Sequence, residues 1–249
     1  MPLYQTEGIV LRTRNLGEAD KICVIYSREE GKLSAVARGS RRPKSRLLSV
    51  SQPFTHARYL LYRGRSLDTI RQGEIIDSFR AVREDLTRMA IASYAAELID
   101  VSVDERQPSA LLFETILSAW TLFANASDPE TALLWFELKL LDQLGYRPEL
   151  ESCVACGGKN GSSLVFSPKE GGILCPGCKD RDMTARRASL RSVAQMRHLL
   201  NAPARGFQVL RLSTDDHTQI RALLNGYFDY YFERPLKSRS FLDALQEMG

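Results

Sequence analysis

Histidine is scarce. The three present, His56, His198 and His217, form no H-E-x-x-H pair and no H-x-E deaminase arrangement. That argues against the common hydrolytic and deaminating zinc centres. The phosphate-cradling patterns G-x-x-x-x-G-K-[ST] and G-x-G-x-x-G are also missing, so no triphosphate or dinucleotide loop is signalled. No G-x-S-x-G elbow offers a serine nucleophile. Carboxylates are scattered, and Glu29-Glu30 reads as a turn rather than a catalytic pair. The expectation is a protein that is not an enzyme. No apolar run approaches 18 residues, so no membrane span is expected. The opening residues lack a basic stretch followed by an apolar one, which argues against a secretory leader and for the cytoplasm. In that compartment five cysteines point to metal or reduced thiols rather than disulfides. There is no internal repeat and no low-complexity segment.

What is present is unevenly spread. The net charge is only +4, yet residues 1–80 hold 15 Lys and Arg against 8 Asp and Glu. The rest of the chain is slightly acidic. Such a split suggests one region that meets a polyanion, although a basic third can also be a solubilising surface.

Residues 5–77 read as short strands rich in Val, Ile, Leu, Tyr and Thr: about Gly8–Arg14, Lys21–Ser27, Lys32–Arg38, Phe54–Tyr62 and Ser66–Ile76. Turn words Glu30-Gly31-Lys32 and Arg63-Gly64-Arg65 separate some of them. Along the first strand, Ile9, Leu11 and Thr13 are expected opposite Val10, Arg12 and Arg14. Five strands in this length suggest a small barrel. The OB-fold has that size, and so do SH3-like barrels. From Phe79 the period becomes helical through Leu86, Met89, Ala90, Tyr94, Leu98 and Val101. A second helix carries Leu111 to Phe123. A third starts at Asp128-Pro129-Glu130, is apolar nearly all round and is stopped by Gly145. Further helices are expected at about Ser189–Leu200, Asp215–Phe232 and Ser240–Gln246, with Tyr230 off the apolar stripe of the second.

Between these helices, Cys153-Val154-Ala155-Cys156 and Cys175-Pro176-Gly177-Cys178 form two C-x2-C turns 18 residues apart. This is the four-cysteine zinc spacing. Cys153, Cys156, Cys175 and Cys178 would close a tetrahedral shell, leaving no open position, so one structural zinc ion is expected. Iron and a degenerate, unliganded site are the alternatives. Cys23 lies in an apolar run and reads as core.

The segment Arg38-Gly39-Ser40-Arg41-Arg42-Pro43-Lys44-Ser45-Arg46 is five-ninths cationic, and its Gly, Pro and Ser mark an exposed loop. Arginine forks match phosphate oxygens, and barrel aromatics such as Tyr59 and Tyr62 would suit a single strand. A solvated charge run is the plainer alternative. A second cluster, Lys179, Arg181, Arg186, Arg187 and Arg191, either extends a phosphate path or decorates a helix.

The words Glu7-Gly8-Ile9-Val10-Leu11, Gly17-Glu18-Ala19-Asp20, Arg38-Gly39 through Lys44-Ser45-Arg46, Gln52-Pro53-Phe54 and Pro235-Leu236-Lys237-Ser238-Arg239-Ser240 resemble the RecO family of bacterial repair proteins. The order barrel, helices, cysteine insert, helices resembles that family over essentially the whole chain. The resemblance implies an α+β multidomain protein. An OB-fold DNA-binding domain would span 1–80, and a helical domain 81–150 and 183–249, with a zinc-finger insert at 151–182. It also implies a nucleoid-associated, cytoplasmic protein that binds single- and double-stranded DNA and anneals complementary strands. Its partners would be RecR, the single-strand binding protein and, indirectly, RecA. The expected DNA contacts are Arg38, Arg41, Arg42, Lys44 and Arg46, then Arg12, Arg14, Arg58, Arg63 and Arg65. An RNA-binding barrel-and-zinc protein is the main alternative, and a metal-dependent nuclease a lesser one.

Overall fold

The computed structural model describes residues 2–158, 163–204, 212–232 and 234–247. By compactness the chain divides into two units, residues 1–125 with 236–249, and residues 126–235.

In the first unit, β1 (Leu3–Leu16), β2 (Asp20–Ser27), β3 (Gly31–Ala37), β4 (His56–Tyr62) and β5 (Asp68–Asp77) close a barrel in the order β1-β2-β3-β5-β4. Within the barrel β3 and β5 pair in parallel, and the other neighbouring strands pair antiparallel. Strand count and length left the OB-fold and SH3-like barrels open, and the closed five-stranded barrel is the OB-fold that the family resemblance implied. The interior is filled by Val10, Cys23, Ile25, Leu33, Ala35, Val50, Tyr59, Leu61 and Ile70, among others. Burial pushes the Cys23 thiol up to about 12, as suits a core residue.

The expected alternation along β1 fails at one point. The register slips between Val10 and Arg12, and Ile9, Val10 and Leu11 are all buried in succession. A bulge turns the strand locally, so three consecutive apolar side chains find cover. Tyr59 also departs from expectation. It sits inside the barrel with its hydroxyl donating to Val50 O at 2.9 Å, so it cannot stack on a base, while Tyr62 is exposed.

The helical stretch after Phe79 is two helices, α1 (Arg80–Glu84) and α2 (Leu86–Ser102). Asp85 divides them because its carboxylate accepts the Arg88 N–H at 2.8 Å and caps α2. Helix α3 (Ala110–Asn125) follows. Phe54 lies 6.1 Å from Trp120 and His56 lies 6.1 Å from Phe113, ring to ring, which fixes the barrel on α3.

Helix α4 (Pro129–Gln143) begins the second unit and is buried nearly all round, as its composition requires. Asp128 caps it by accepting the Thr131 N–H at 3.0 Å. A three-stranded sheet of order β7-β6-β8 comes next, built from β6 (Leu164–Ser167), β7 (Gly172–Leu174) and β8 (Arg186–Ala188). Helices α5 (Leu190–Asn201) and α6 (Thr214–Tyr231) complete the unit. Ile220, Leu223, Leu224, Tyr227 and Phe228 of α6 are buried, and Tyr230 is 52 % exposed.

The last helix, α7 (Lys237–Glu247), starts three residues before its expected beginning. The reason lies far away in sequence. Glu97 of α2 accepts the Lys237 N–H at 3.2 Å and the Ser238 N–H at 2.8 Å, and bonds the Ser238 hydroxyl. A distant carboxylate thus serves the orphan N–H groups that a local cap would otherwise serve. Glu97→Ala is expected to cost about 1 kcal/mol, the worth of a lost cap. Hydrogen exchange should show faster amides at Lys237 and Ser238, and unchanged exchange there would refute the assignment.

Candidate nucleic-acid interface and four-cysteine site

The strand register sorts the barrel cations into two ends. β1 pairs with β2 up to Leu16↔Asp20, and β2 pairs with β3 from Lys21↔Ala37. The end of β1, the start of β2 and the exit of β3 therefore meet, and the 38–46 loop leaves from there. Arg38, Arg41, Arg42, Lys44 and Arg46 are all exposed, and none has an ion-pair partner among the described residues. Arg14 lies near the same end of β1, exposed and likewise unpaired. Lys21, half-buried near the start of β2, lies at the same end of the barrel, and one lysine at a strand start carries no pattern that would reveal it in the sequence.

The loop has a defined course. Successive N–H to C=O turns run from Arg42 to Gly39, Ser45 to Arg42 and Leu48 to Ser45 at 3.0–3.2 Å. Past the cations, Leu47 and Val50 pack on the barrel core. One connection thus carries charge in its first half and a plug for the barrel in its second.

The other proposed contacts are placed differently. Arg12 bonds Asp100 at 2.6 Å, and Arg58 lies 3.3 Å from Glu74. Arg63 bonds Glu30 at 2.6 Å and stacks 4.6 Å from the Tyr4 ring centroid. Arg63 and exposed Arg65 follow Tyr62, which pairs with Leu3, so they lie at the opposite end of β1 from the loop. In the second unit, Arg181 pairs with Glu170 at 3.5 Å and Arg191 with Asp216 at 3.0 Å, while Arg186 donates to Ala222 O. Lys179 and Arg187 keep no ion-pair partner among the described residues.

The four cysteines converge. The Sγ atoms of Cys153, Cys156, Cys175 and Cys178 lie within 4.8 Å of one another, with Cys156 and Cys175 at 3.8 Å. Sulfurs bound tetrahedrally at about 2.3 Å stand about 3.8 Å apart, so the cluster fits such an ion. Each C-x2-C segment is a knuckle. Gly157 N–H donates to Cys153 O at 2.8 Å, and Cys178 N–H to Cys175 O at 2.9 Å. Gly157 has φ +70°, and a β-carbon on Gly158 would stand 3.3 Å from the Cys156 sulfur. Burial raises the Cys153 thiol, but backbone N–H groups of Cys175, Ala155 and Cys156 outweigh it and bring it down to about 6. These amides stabilise thiolate, the form that binds metal. The donor set is all sulfur, and its chemistry suits a thiophilic ion.

Among the described residues no helix is long and apolar enough to cross a membrane.

The family model for the N-terminal part of recombination protein O matches residues 1–79, and that for its C-terminal part matches residues 83–240. The DNA repair protein RecO of Symbiobacterium thermophilum is 46% identical over 250 aligned positions, covering 99% of each chain. That of Pelotomaculum thermopropionicum is 40% identical, covering 98% of this chain and 94% of its own. That of Bacillus subtilis is 35% identical, covering 99% and 96%. With both halves matched and full-length relatives well above the level at which family is in question, the chain belongs to the RecO family.

Proposed function

We propose that this protein acts in DNA repair as a recombination mediator without catalytic activity of its own. It would bind single- and double-stranded DNA and anneal complementary strands. With RecR it would help RecA load where the single-strand binding protein coats DNA. The partners rest on family membership. The DNA contact rests chiefly on one observation, the five exposed loop cations that have no ion-pair partner among the described residues. Annealing requires two polyanions to approach, and neutralising phosphate lowers that barrier without reading bases. Arg38, Arg41, Arg42, Lys44 and Arg46 bind phosphate, with Arg14 beside them. Arg12, Arg58 and Arg63 are already paired within the protein, so they make the lesser contribution. Association with the nucleoid follows from such binding.

Zinc is the ion proposed for the cysteines, and it would supply a folding constraint. Four thiolates fill its shell, which leaves no position for water or substrate. Cys153, Cys156, Cys175 and Cys178 would hold it.

The test is annealing of labelled complementary strands coated with single-strand binding protein, by wild type and by Arg41→Ala/Arg42→Ala/Lys44→Ala. Wild type should anneal and the variant should not. With about six phosphates contacted, log K for single strands should fall against log salt with a slope of about −4. In the variant the slope should shrink by about 2, and affinity near 0.15 M salt should drop on the order of fifty-fold. Salt-independent binding, or tighter binding to RNA of the same sequence, would overturn the reading.

A further inference from the structure

The turn Gly17-Glu18-Ala19-Asp20 joins β1 to β2 and lies against the most basic segment of the chain. Gly39 N–H donates to Asp20 Oδ1 at 2.7 Å. Arg41 N–H donates to Ala19 O at 2.9 Å, and Arg41 Nη1 to Gly17 O at 3.0 Å. Gly39 takes φ +65°, and Ser40 beyond it is fully buried. The first turn of the cationic loop is thus fastened to a barrel hairpin at three points, while the side chains of Arg38, Arg41 and Arg42 face solvent. Asp20 is itself held, as the first residue of β2 opposite Leu16.

We infer that Asp20 is a positioning residue that holds the 38–46 loop in its DNA-binding shape. The inference rests on the loop being the DNA contact. A carboxylate beside a phosphate-binding loop is otherwise an odd choice, because it repels the same phosphates. That oddity makes the proposal testable by sign. If Asp20 contributes only charge, Asp20→Ala removes repulsion and binding tightens. If Asp20 braces the loop, the variant populates the binding shape a fraction of the time, and the dissociation constant rises by the inverse of that fraction. About five- to tenfold weaker binding is expected. Asp20→Asn keeps an oxygen that accepts from Gly39 while removing the charge, so it should bind as tightly as wild type or more so.

The salt dependence separates a brace from a contact. Losing the brace leaves the number of phosphates touched unchanged, so the slope of log K against log salt should stay at the wild-type value. Losing a contact, as in Lys44→Ala, which makes no bond to the hairpin, should reduce it by about 0.7. The experiment is anisotropy titration of a fluorescent oligo(dT) with full-length protein over several salt concentrations. Thermal melts check folding, and hydrogen exchange at the Gly39 amide reports the bond directly. Weaker binding by Asp20→Ala with an unchanged slope and faster Gly39 exchange, both restored by Asp20→Asn, supports the brace. Unweakened binding by Asp20→Ala overturns it, and so does equal weakening by Ala and Asn. The Arg41→Ala/Arg42→Ala/Lys44→Ala variant runs alongside. If it loses affinity while Asp20→Ala does not, only the brace falls. If it keeps wild-type affinity, the loop is not the DNA contact and the brace falls with that reading.

Discussion

Cys153→Ser is expected to abolish metal binding and the cooperative unfolding transition of residues 126–235. The knuckle segment has little else to hold it. Its main buried apolar groups are Leu164, Phe166, Ile173 and Leu174, on strands of three and four residues. A structural zinc supplies an apparent 10–16 kcal/mol, comparable to the whole stability of an ordinary domain. Cys153 is the most demanding position because it is 2 % exposed, so serine there would also bury a hydroxyl in place of a sulfur. The damage should spread. Phe166 packs 5.3 Å from Tyr227, and Tyr231 donates its hydroxyl to Pro168 O at 3.0 Å, so α6 leans on the cysteine segment. The barrel has its own core and should melt separately. Native mass spectrometry should find one ion per wild-type chain and none in the variant, and a strong chelator should reproduce the lost transition. An unchanged melt after chelation would mean that the four sulfurs meet without needing a metal.

The parts of this molecule that could be read from sequence are those encoded locally. Helix α4 was legible because Asp128-Pro129 and Gly145 bracket a run apolar on every side. The cysteine site was legible because two C-x2-C turns each fix their own geometry. The loop was legible because cations sit among Gly, Pro and Ser. Long-range pairing was not. Arg12 and Arg14 look alike in a strand, yet Asp100, 88 residues on from Arg12, pairs with Arg12 and not with Arg14. The early start of α7 depends on Glu97, some 140 residues upstream. The bond of Asp20 to the loop is not legible in the sequence, because its partner is a backbone N–H, which every sequence offers everywhere. The bulge in β1 is set by what covers Ile9, Val10 and Leu11 together, and the β1 sequence alone carries no sign of it.

The same long-range chemistry makes Asp68 a sensitive polar position of the barrel. Asp68 is 1 % exposed. It accepts from Arg106 Nη2 at 2.6 Å, from the Gly64 N–H at 2.9 Å and from the Tyr4 hydroxyl. Arg106 reaches it from the segment between α2 and α3, with φ +60°, and also pairs with Glu30 at 3.0 Å. Its own N–H donates to Lys32 O at 2.9 Å, so that segment is clamped onto β3. Breaking a buried pair from one side typically costs 3–5 kcal/mol. Arg106 keeps Glu30 and is partly solvated, so Asp68→Ala should cost about 3 kcal/mol, at the low end. Asp68→Ala/Arg106→Leu should recover part of that, because no guanidinium is left without its partner. The pH dependence follows from sign. Burial alone would favour the neutral acid, but the bonds from Tyr4, Arg106 and Gly64 outweigh it and hold the Asp68 pKa below its ordinary value. Its contribution is therefore full above about pH 4 and is lost as pH falls through the depressed value. Tyr4 works in the opposite direction. Burial and its bond to Asp68 raise its pKa to about 12, so its contribution is full below about pH 10 and is lost as pH rises toward 12. Urea unfolding of wild type and Asp68→Ala should differ by a constant amount near neutrality, and the gap should narrow below about pH 4. In Tyr4→Phe the alkaline loss should be smaller than in wild type. A gap under about 1 kcal/mol at neutral pH would mean that water replaces the clamp at little cost. The segment between α2 and α3 would then be held on the barrel by its packing and its backbone bonds alone.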